Sequence, residues 1–360
     1  MNSLERVTLA LQHKEPDHVP VYPLINSVSR KSLGINYAEW SQDPEKCAES
    51  IIKATEEIGV DVLCTLVDLS VEAADWGQEI EFPEELAAHP VSKNRLIEKP
   101  EDYEKIQVID PTKTPRMKDA IRLTKILYDK KGQEYPVVAF IFGPFGILSM
   151  MRGQAEMFVD CLKKDRKPLM HKALRNITET LKMFIKASVD AGAHAVMFDT
   201  LYASRTIMSP KMWNEFEGDY IEELCNYVRE CGAMVMLHNC GDGIYFKEQL
   251  ERMAPVAAFS FCHLPPDAES MEDLKAKYGD KTTLIGMIDP GDIMVMSEDE
   301  LRAECRRQID AYAKGGGFIL ATGCEYPASL SYDKAKIMVD EAKNYGAYRN
   351  KSAMFPDLMF

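Results

Sequence analysis

The sequence predicts an α/β protein of the (β/α)8 barrel class. Three observations carry this. Eight short, continuously apolar runs punctuate the chain, amphipathic helical patterns separate them, and polar and metal-ligating residues collect at the C-terminal ends of the runs. Runs without polar alternation are those of strands buried on both faces, as in parallel sheets covered by helices. A doubly wound open sheet is the alternative with the same alternation.

The chain opens with "MNSLERVTLALQHKEPDHVP", a short amphipathic helix with no basic flank, apolar core and cleavage site. The first strand candidate is "VPVYPL" (19–24) and the second is "VLCTLVDL" (62–69). A polar stretch, 76–116, then interrupts the alternation and is expected to be a surface insertion or a lid. "VVAFIFGPF" (137–145) and "AHAVMFDT" (193–200) follow, then "AMVMLHNCG" (233–241), "VAAFSFC" (256–262), "TTLIGMIDP" (282–290) and "GFILATGCE" (317–325). Between them lie "PLMHKALRNITETLKMFIKASVDAG", "SPKMWNEFEGDYIEELCNYVRECG" and "SEDELRAECRRQIDAYAKGG". All three end in Gly, and the last two begin with Ser, a strong N-cap. No linker or low-complexity tract appears, so residues 1–360 are expected to form one domain with an N-terminal helical extension.

Composition narrows the function. Hydrophobic residues make up 46% and charged residues 28%, and the net charge is −14. That acidity argues against nucleic acid and anionic membranes, which need basic footprints. It suits a small-molecule enzyme or docking to another protein. No apolar run reaches the roughly 18 residues of a membrane span, and a cytoplasmic location is expected. Nine cysteines, an odd number without regular spacing, are expected to be thiols. A homo-oligomer is left open.

Active sites of barrels lie at the C-terminal ends of the strands. Those ends carry Asp68, Phe142 with Gly143, Asp199, His238 with Cys240, Cys262 with His263, Asp289, and Cys324 with Glu325. The first strand contributes Tyr22 and Asn26. A lone cysteine is usually a small buried hydrophobe. Three at the tips of the fifth, sixth and eighth strand candidates form a set. In "LHNCGDG", residues i and i+2 share a face, so His238 and Cys240 point the same way, and Gly-Asp-Gly turns the chain away. His238, Cys240 and Cys324 with one open position suit Zn2+, with Cys262 a candidate fourth ligand.

"LHNCGDG", "LIGMIDPGDIM" and "FILATGCEYPA" resemble the uroporphyrinogen decarboxylase superfamily in its corrinoid methyltransferase branch. "ERVTLALQHKEPDHVPVYPLI", "VDLSVEAADWGQEIEF" and "FGPFGILSMMRG" share the likeness, which runs from residue 4 to about 346. The resemblance implies a TIM barrel and a zinc signature, His-x-Cys-xn-Cys, carried here by His238, Cys240 and Cys324. It also implies methyl transfer between a small molecule and the cobalt of a corrinoid. True uroporphyrinogen decarboxylases carry an arginine-rich N-terminal motif, whereas this chain offers only Arg30 and Lys31 after its first strand. Where the coenzyme M branch has an acidic residue near the zinc, this chain reads "SFCHLPP".

No Asp-x-His-x-x-Gly motif for cobalamin occurs, so the resemblance implies a corrinoid (cobalamin) carried by a small partner protein. Phe142, Gly143 and Gly241 are then expected to face it. Tyr22, Phe145, Met150, Arg205 and Tyr326 are the candidate substrate contacts, part of an aromatic and Met-rich inventory that suits a methoxylated aromatic. His263, Tyr202 and Glu325 are candidate acids, while Asp199 and Asp289, and with them Asp68, are candidates to orient His238 or bind substrate. The expected activity is O-demethylation. The alternatives are a coenzyme M-type thiol methyltransferase, a decarboxylase, and a zinc-stabilised scaffold whose four ligands close the shell.

Overall fold

The structure is a computed structural model in which residues 1–348 are described; the remainder of the expected domain, 349–360, lies outside the described residues. Seven strands form one all-parallel sheet in chain order: β1 (Leu63–Cys64), β2 (Val137–Phe142), β3 (Ala195–Asp199), β4 (Met234–Asn239), β5 (Ala258–Phe261), β6 (Thr283–Ile288) and β7 (Phe318–Thr322). All seven fall within the runs expected from sequence. The sheet curls on itself. One buried cluster gathers Cys64, Phe140, Met197, Met236, Ala258, Ile285 and Ile319, a side chain from every strand. The alternate residues, such as Ile141, Val196, Leu237 and Phe259, pack outward in the larger core shared with the helices. Burial on both faces explains the unbroken apolar runs.

The expected strand at 19–24 departs from regularity. Val21 makes a single parallel bridge to Leu320. The Tyr22 N–H donates to the Leu320 carbonyl and the Leu320 N–H to that of Pro20. On its other side, the Val21 N–H donates to the Asp61 carboxylate and the Val21 carbonyl accepts from the Asp61 N–H. Pro20 and Pro23 lack N–H donors, so the segment cannot sustain a longer ladder.

Helices alternate with the strands: α1 (Ser3–Leu11), α2 (Pro44–Ile58), α3 (Pro115–Lys131), α4 (Pro144–Arg152), α5 (Lys167–Asp190), α6 (Asp219–Glu230), α7 (Phe246–Met253), α8 (Met271–Tyr278), α9 (Glu298–Tyr312) and α10 (Asp333–Asn344). A capping box between Asn2 and Glu5 starts α1, which buries Val7 and Ala10 in the cluster inside the curled sheet. Ser297 and Glu300 form the same box at α9. The stretch expected as one helix after Ser209 is broken in two. A π-helical turn, Asn214–Gly218, separates Pro210–Trp213 from α6. Such turns are frequent at functional sites, and this one carries the fully buried Glu217.

The segment 76–116 is tied down along its length. Ile80–Glu81 pairs antiparallel with His89–Pro90, and Ile97, Tyr103 and Ile106 are buried. The Tyr103 hydroxyl donates to Asp160 at 2.8 Å, and Arg152 donates to the carbonyls of Ile97 and Glu98. Asp75 caps α3 by accepting from the N–H groups of Arg116 and Met117. No helix among the described residues is long and apolar enough to cross a membrane.

Candidate metal centre

Parallel register builds the site as a row. Phe142 pairs with Asp199, Asp199 with His238, and His238 with Ser260. Along β4 the alternation sends Met236 and His238 to the interior and Leu237 outward. Past the strand end, the Gly241 N–H donates to the Asn239 carboxamide, and Gly243 turns at φ +69, a conformation that favours glycine. The ligand atoms of His238, Cys240 and Cys324 then lie within 4.8 Å of one another. Cys324 arrives from the end of β7, held by the Thr322 hydroxyl, which is 2.6 Å from the Cys324 carbonyl and 2.8 Å from that of Pro23.

The electrostatics of the trio are mutual. Cys324 is lowered to about 4, chiefly by a hydrogen bond from the Cys240 thiol, against burial and with help from His238. The same contact, with burial, drives Cys240 upward. Burial alone would lower His238, but Cys324 and Asp199 raise it. The contact thus favours the thiolate form at Cys324 and the thiol form at Cys240. His238 is 2% exposed, and its Nδ1 lies 3.0 Å from Ser260 Oγ.

The donor chemistry fits a borderline divalent cation such as Zn2+. One imidazole and two sulfurs converge, one sulfur already favours the thiolate form, and the second ring nitrogen of His238 has a partner. Ligand histidines are usually held in this way, and three protein donors leave a position open.

Cys262 abuts the trio but does not join its ligand group. It groups instead with His263 and Asp289, and its Sγ donates to Asp289 at 3.5 Å. Burial and Asp289 push the Cys262 thiol up to about 12. Against burial, the N–H groups of Gly291 and Asp292 hold Asp289 below the usual carboxylate range. Asp289 is thus committed to Cys262 and to this turn, and Ser260 supplies the hydrogen bond to His238 Nδ1. Asp199 is the register neighbour of His238, and burial pushes it up to about 6. Asp68 makes a two-point contact with Arg116, at 2.7 and 3.0 Å.

The expected substrate and corrinoid contacts divide. Phe142 is 2% exposed and lies under Gly146, where an added Cβ would come 2.4 Å from its ring. Gly143 is packed so tightly that a Cβ would fall 2.5 Å from Glu217 Oε1. Of the three residues expected to face a corrinoid, Gly241 alone is part-exposed. Phe145 is fully buried, edge-on to Tyr202 at 5.0 Å, and Met151 and Phe198 are equally buried. Tyr326 is fully buried, with its hydroxyl donating to the Ser331 carbonyl. Met150 is half-buried and Arg205 is exposed. Tyr22 stays on the interior, with its hydroxyl buried and without a hydrogen-bond partner among the described residues. Phe140 also faces inward, its ring 6.1 Å from that of His238. Most of the aromatic inventory is therefore packing beneath the helices. Among the candidate acids, burial raises Tyr202 to about 12, and it raises Glu325 to about 7 although the Ser27 N–H donates to it.

Two residues escaped the sequence reading. Ser260 is interior by the same alternation that selects Cys262 in "AFSFC", so its signal was present. Glu217 had none, because it lies mid-helix in "NEFEGDY" and only the π turn brings it in. Neither of its carboxyl oxygens has a hydrogen-bond partner among the described residues. Burial, with Asp199 adding, pushes it up to about 8.

Comparison with known proteins places this architecture. A methylcobamide:CoM methyltransferase, MtbA, of Methanosarcina mazei is 23% identical over 348 residues, covering 95% of this chain and 97% of the relative. A uroporphyrinogen decarboxylase of Thioalkalivibrio sulfidiphilus is 22% identical over 366 residues, covering 96% and 99%. A solved methyltransferase from Methanosarcina mazei superposes with a TM-score of 0.81 at 22% identity, covering 96% of this chain and 99% of that one, and so shares the fold. The family model for uroporphyrinogen decarboxylase (URO-D) matches residues 2–345, and the chain belongs to that family.

Proposed function

We propose that this protein is a zinc-dependent methyltransferase that moves a methyl group between a small molecule and the cobalt of a corrinoid brought by a small partner protein. The observation that carries the reading is the convergence of His238, Cys240 and Cys324 at the C-terminal ends of parallel strands. Likeness to a methylcobamide:CoM methyltransferase over nearly the whole chain supports the reaction class. The hydrogen bonds of Pro20 and Tyr22 to Leu320 on one side and of Val21 to Asp61 on the other support a sheet closed as a (β/α)8 barrel with one open mouth.

His238, Cys240 and Cys324 would hold the zinc. Bound there, it supplies a Lewis acid for a substrate oxygen or sulfur. The chain's own residues do the rest. Ser260 keeps the His238 ring in one orientation. Glu325, held at its Oε1 by the Ser27 N–H, is a half-buried carboxyl one residue beyond Cys324 and can hand a proton to a leaving oxygen. Phe140 offers an apolar wall beside His238.

The favoured substrate is a methoxylated aromatic, which leaves as its phenol. A thiol acceptor is the second reading, favoured by the MtbA relative. For decarboxylation of a polycarboxylate, the two cations that follow the first strand, Arg30 and Lys31, are already engaged. Arg30 is engaged by Glu85 and the Ile35 carbonyl, and Lys31 by the Leu330 carbonyl. The test is optical. Reduced corrinoid protein, or excess free cob(I)alamin, is mixed with methoxybenzoates and methoxyphenols, and the corrinoid spectrum should convert to the methylated form. Silence there, with rapid demethylation of methylated corrinoid by a small thiol, moves the assignment to thiol methyl transfer. Silence in both assays with zinc bound overturns methyl transfer.

A further inference from the structure

Beside the centre lies a second convergence of ligand-type side chains. One ligand atom each from Cys262, His263 and Asp289 lie within 4.8 Å of one another. Asp289 is the N-cap of the short helix Pro290–Val295. Its Oδ1 accepts from the N–H groups of Gly291 at 2.7 Å and Asp292 at 3.2 Å, while its Oδ2 faces Cys262 Sγ at 3.5 Å. The backbone thus holds one carboxylate oxygen and leaves the other turned toward the thiol. No hydrogen bond among the described residues engages His263. Cys262 is 5% exposed, whereas His263 and Asp289 are part-exposed, so the group opens on one side. It also abuts the first trio. Gly323, which precedes Cys324, packs so closely that a Cβ there would fall 2.4 Å from the Cys262 Cα and 2.7 Å from its Sγ.

We propose that Cys262, His263 and Asp289 form a second binding site for a divalent cation of borderline softness, such as Zn2+ or Co2+, separate from the His238, Cys240 and Cys324 set. Sulfur, imidazole nitrogen and carboxylate oxygen together select such cations over Mg2+ or Ca2+. Binding forms a metal–sulfur bond and releases the Cys262 proton to solvent. Three protein donors leave a position for an outside ligand. A cation there adds a positive charge next to the first centre, suited to a carboxylate or phenolate on the substrate. The site does not depend on the methyl-transfer reading.

The experiment counts cations. Metal-free protein is titrated with Co2+ alone, followed by its d–d and thiolate charge-transfer absorption and by elemental analysis. Native protein should take up two equivalents. The Cys240→Ala/Cys324→Ala double variant should keep one, still with thiolate charge transfer. Cys262→Ala and Asp289→Asn should each keep the first equivalent and lose the second, or weaken it about tenfold or more. His263→Gln serves as well, because that side chain makes no hydrogen bond whose loss could unfold the protein. Saturation at one equivalent in native protein overturns the proposal. So does a double variant that binds none while its circular dichroism is native, and so does a Cys262→Ala variant that loses both equivalents, which would make Cys262 a ligand of the first centre. None of these readouts uses activity, so failure here is distinct from failure of the methyltransferase assays.

Discussion

Ser260 Oγ lies 3.0 Å from His238 Nδ1, on the strand next to it and directly opposite in register. The contact leaves Nε2 as the His238 nitrogen open to a metal. It also fixes the ring against a fully buried neighbour. Ser260→Ala should therefore weaken zinc by about 10–100-fold, the usual effect of removing a partner behind a ligand. The fold should lose only about 1 kcal/mol, that of one hydrogen bond. Competition with a chelator reads the first quantity and urea unfolding the second. An unchanged zinc affinity would mean that Ser260 is only a packing residue.

Cys240→Ala and Cys324→Ala should each abolish zinc binding by the trio, because a three-ligand site rarely survives on two. Elemental analysis of the purified variants is the check. Full retention in both would sink the assignment of His238, Cys240 and Cys324 as ligands.

Arg116 and Asp68 form a buried pair, with the Asp68 side chain 0% and the Arg116 side chain 12% exposed. Arg116→Met leaves that carboxylate with the Ser70 N–H as its remaining donor among the described residues. The expected loss is about 3–5 kcal/mol, typical of breaking one half of a buried pair. Adding Asp68→Leu should recover part of it, because the uncompensated charge is then gone. Denaturant midpoints of the single and double variants decide this, and equal midpoints for Arg116→Met and wild type would refute it.

Glu217 should make stability depend on pH. Its carboxyl is raised from 4.5 to about 8 in the folded state, mainly by burial. The folded protein then holds a proton that the unfolded chain gives up near 4.5, so this group's contribution is intact below that pH. It is lost progressively as the pH rises to about 8. Glu217→Gln cannot ionise and should escape the loss. The stability difference in favour of the variant should grow across that window by a few kcal/mol, at about 1.4 kcal/mol for each pH unit crossed. Parallel pH profiles for variant and wild type would show that the buried carboxyl is not the titrating group.

Much of the architecture was legible in the chain itself. The apolar runs located every strand of the parallel sheet, because a strand covered on both faces must be apolar throughout. The i, i+2 alternation placed His238 with Cys240 on one side, since strand geometry is local. Strand-end position gathered Cys240, Cys262 and Cys324 as one set, because the ends of parallel strands share one edge. The family resemblance pointed to Cys324, and the structure brings it, not Cys262, together with His238 and Cys240.

What tertiary structure alone decided were the pairings between distant segments. Pro20 and Pro23 reduced the first expected strand to one bridge, a cost that depends on whether a neighbour demands their missing N–H groups. Phe142, Phe145 and Tyr326 turned out to be packing because the direction of a side chain at or just past a strand end depends on the helices and loops packed above it. Asp289 went to Cys262 and Asp68 to Arg116, pairings set by strand register and by how the 76–116 segment folds back. Composition and period along the chain report which residues are apolar and which face they share. Which polar groups meet across the mouth depends on inter-strand offsets and loop paths, and these emerge only when the whole core closes at once.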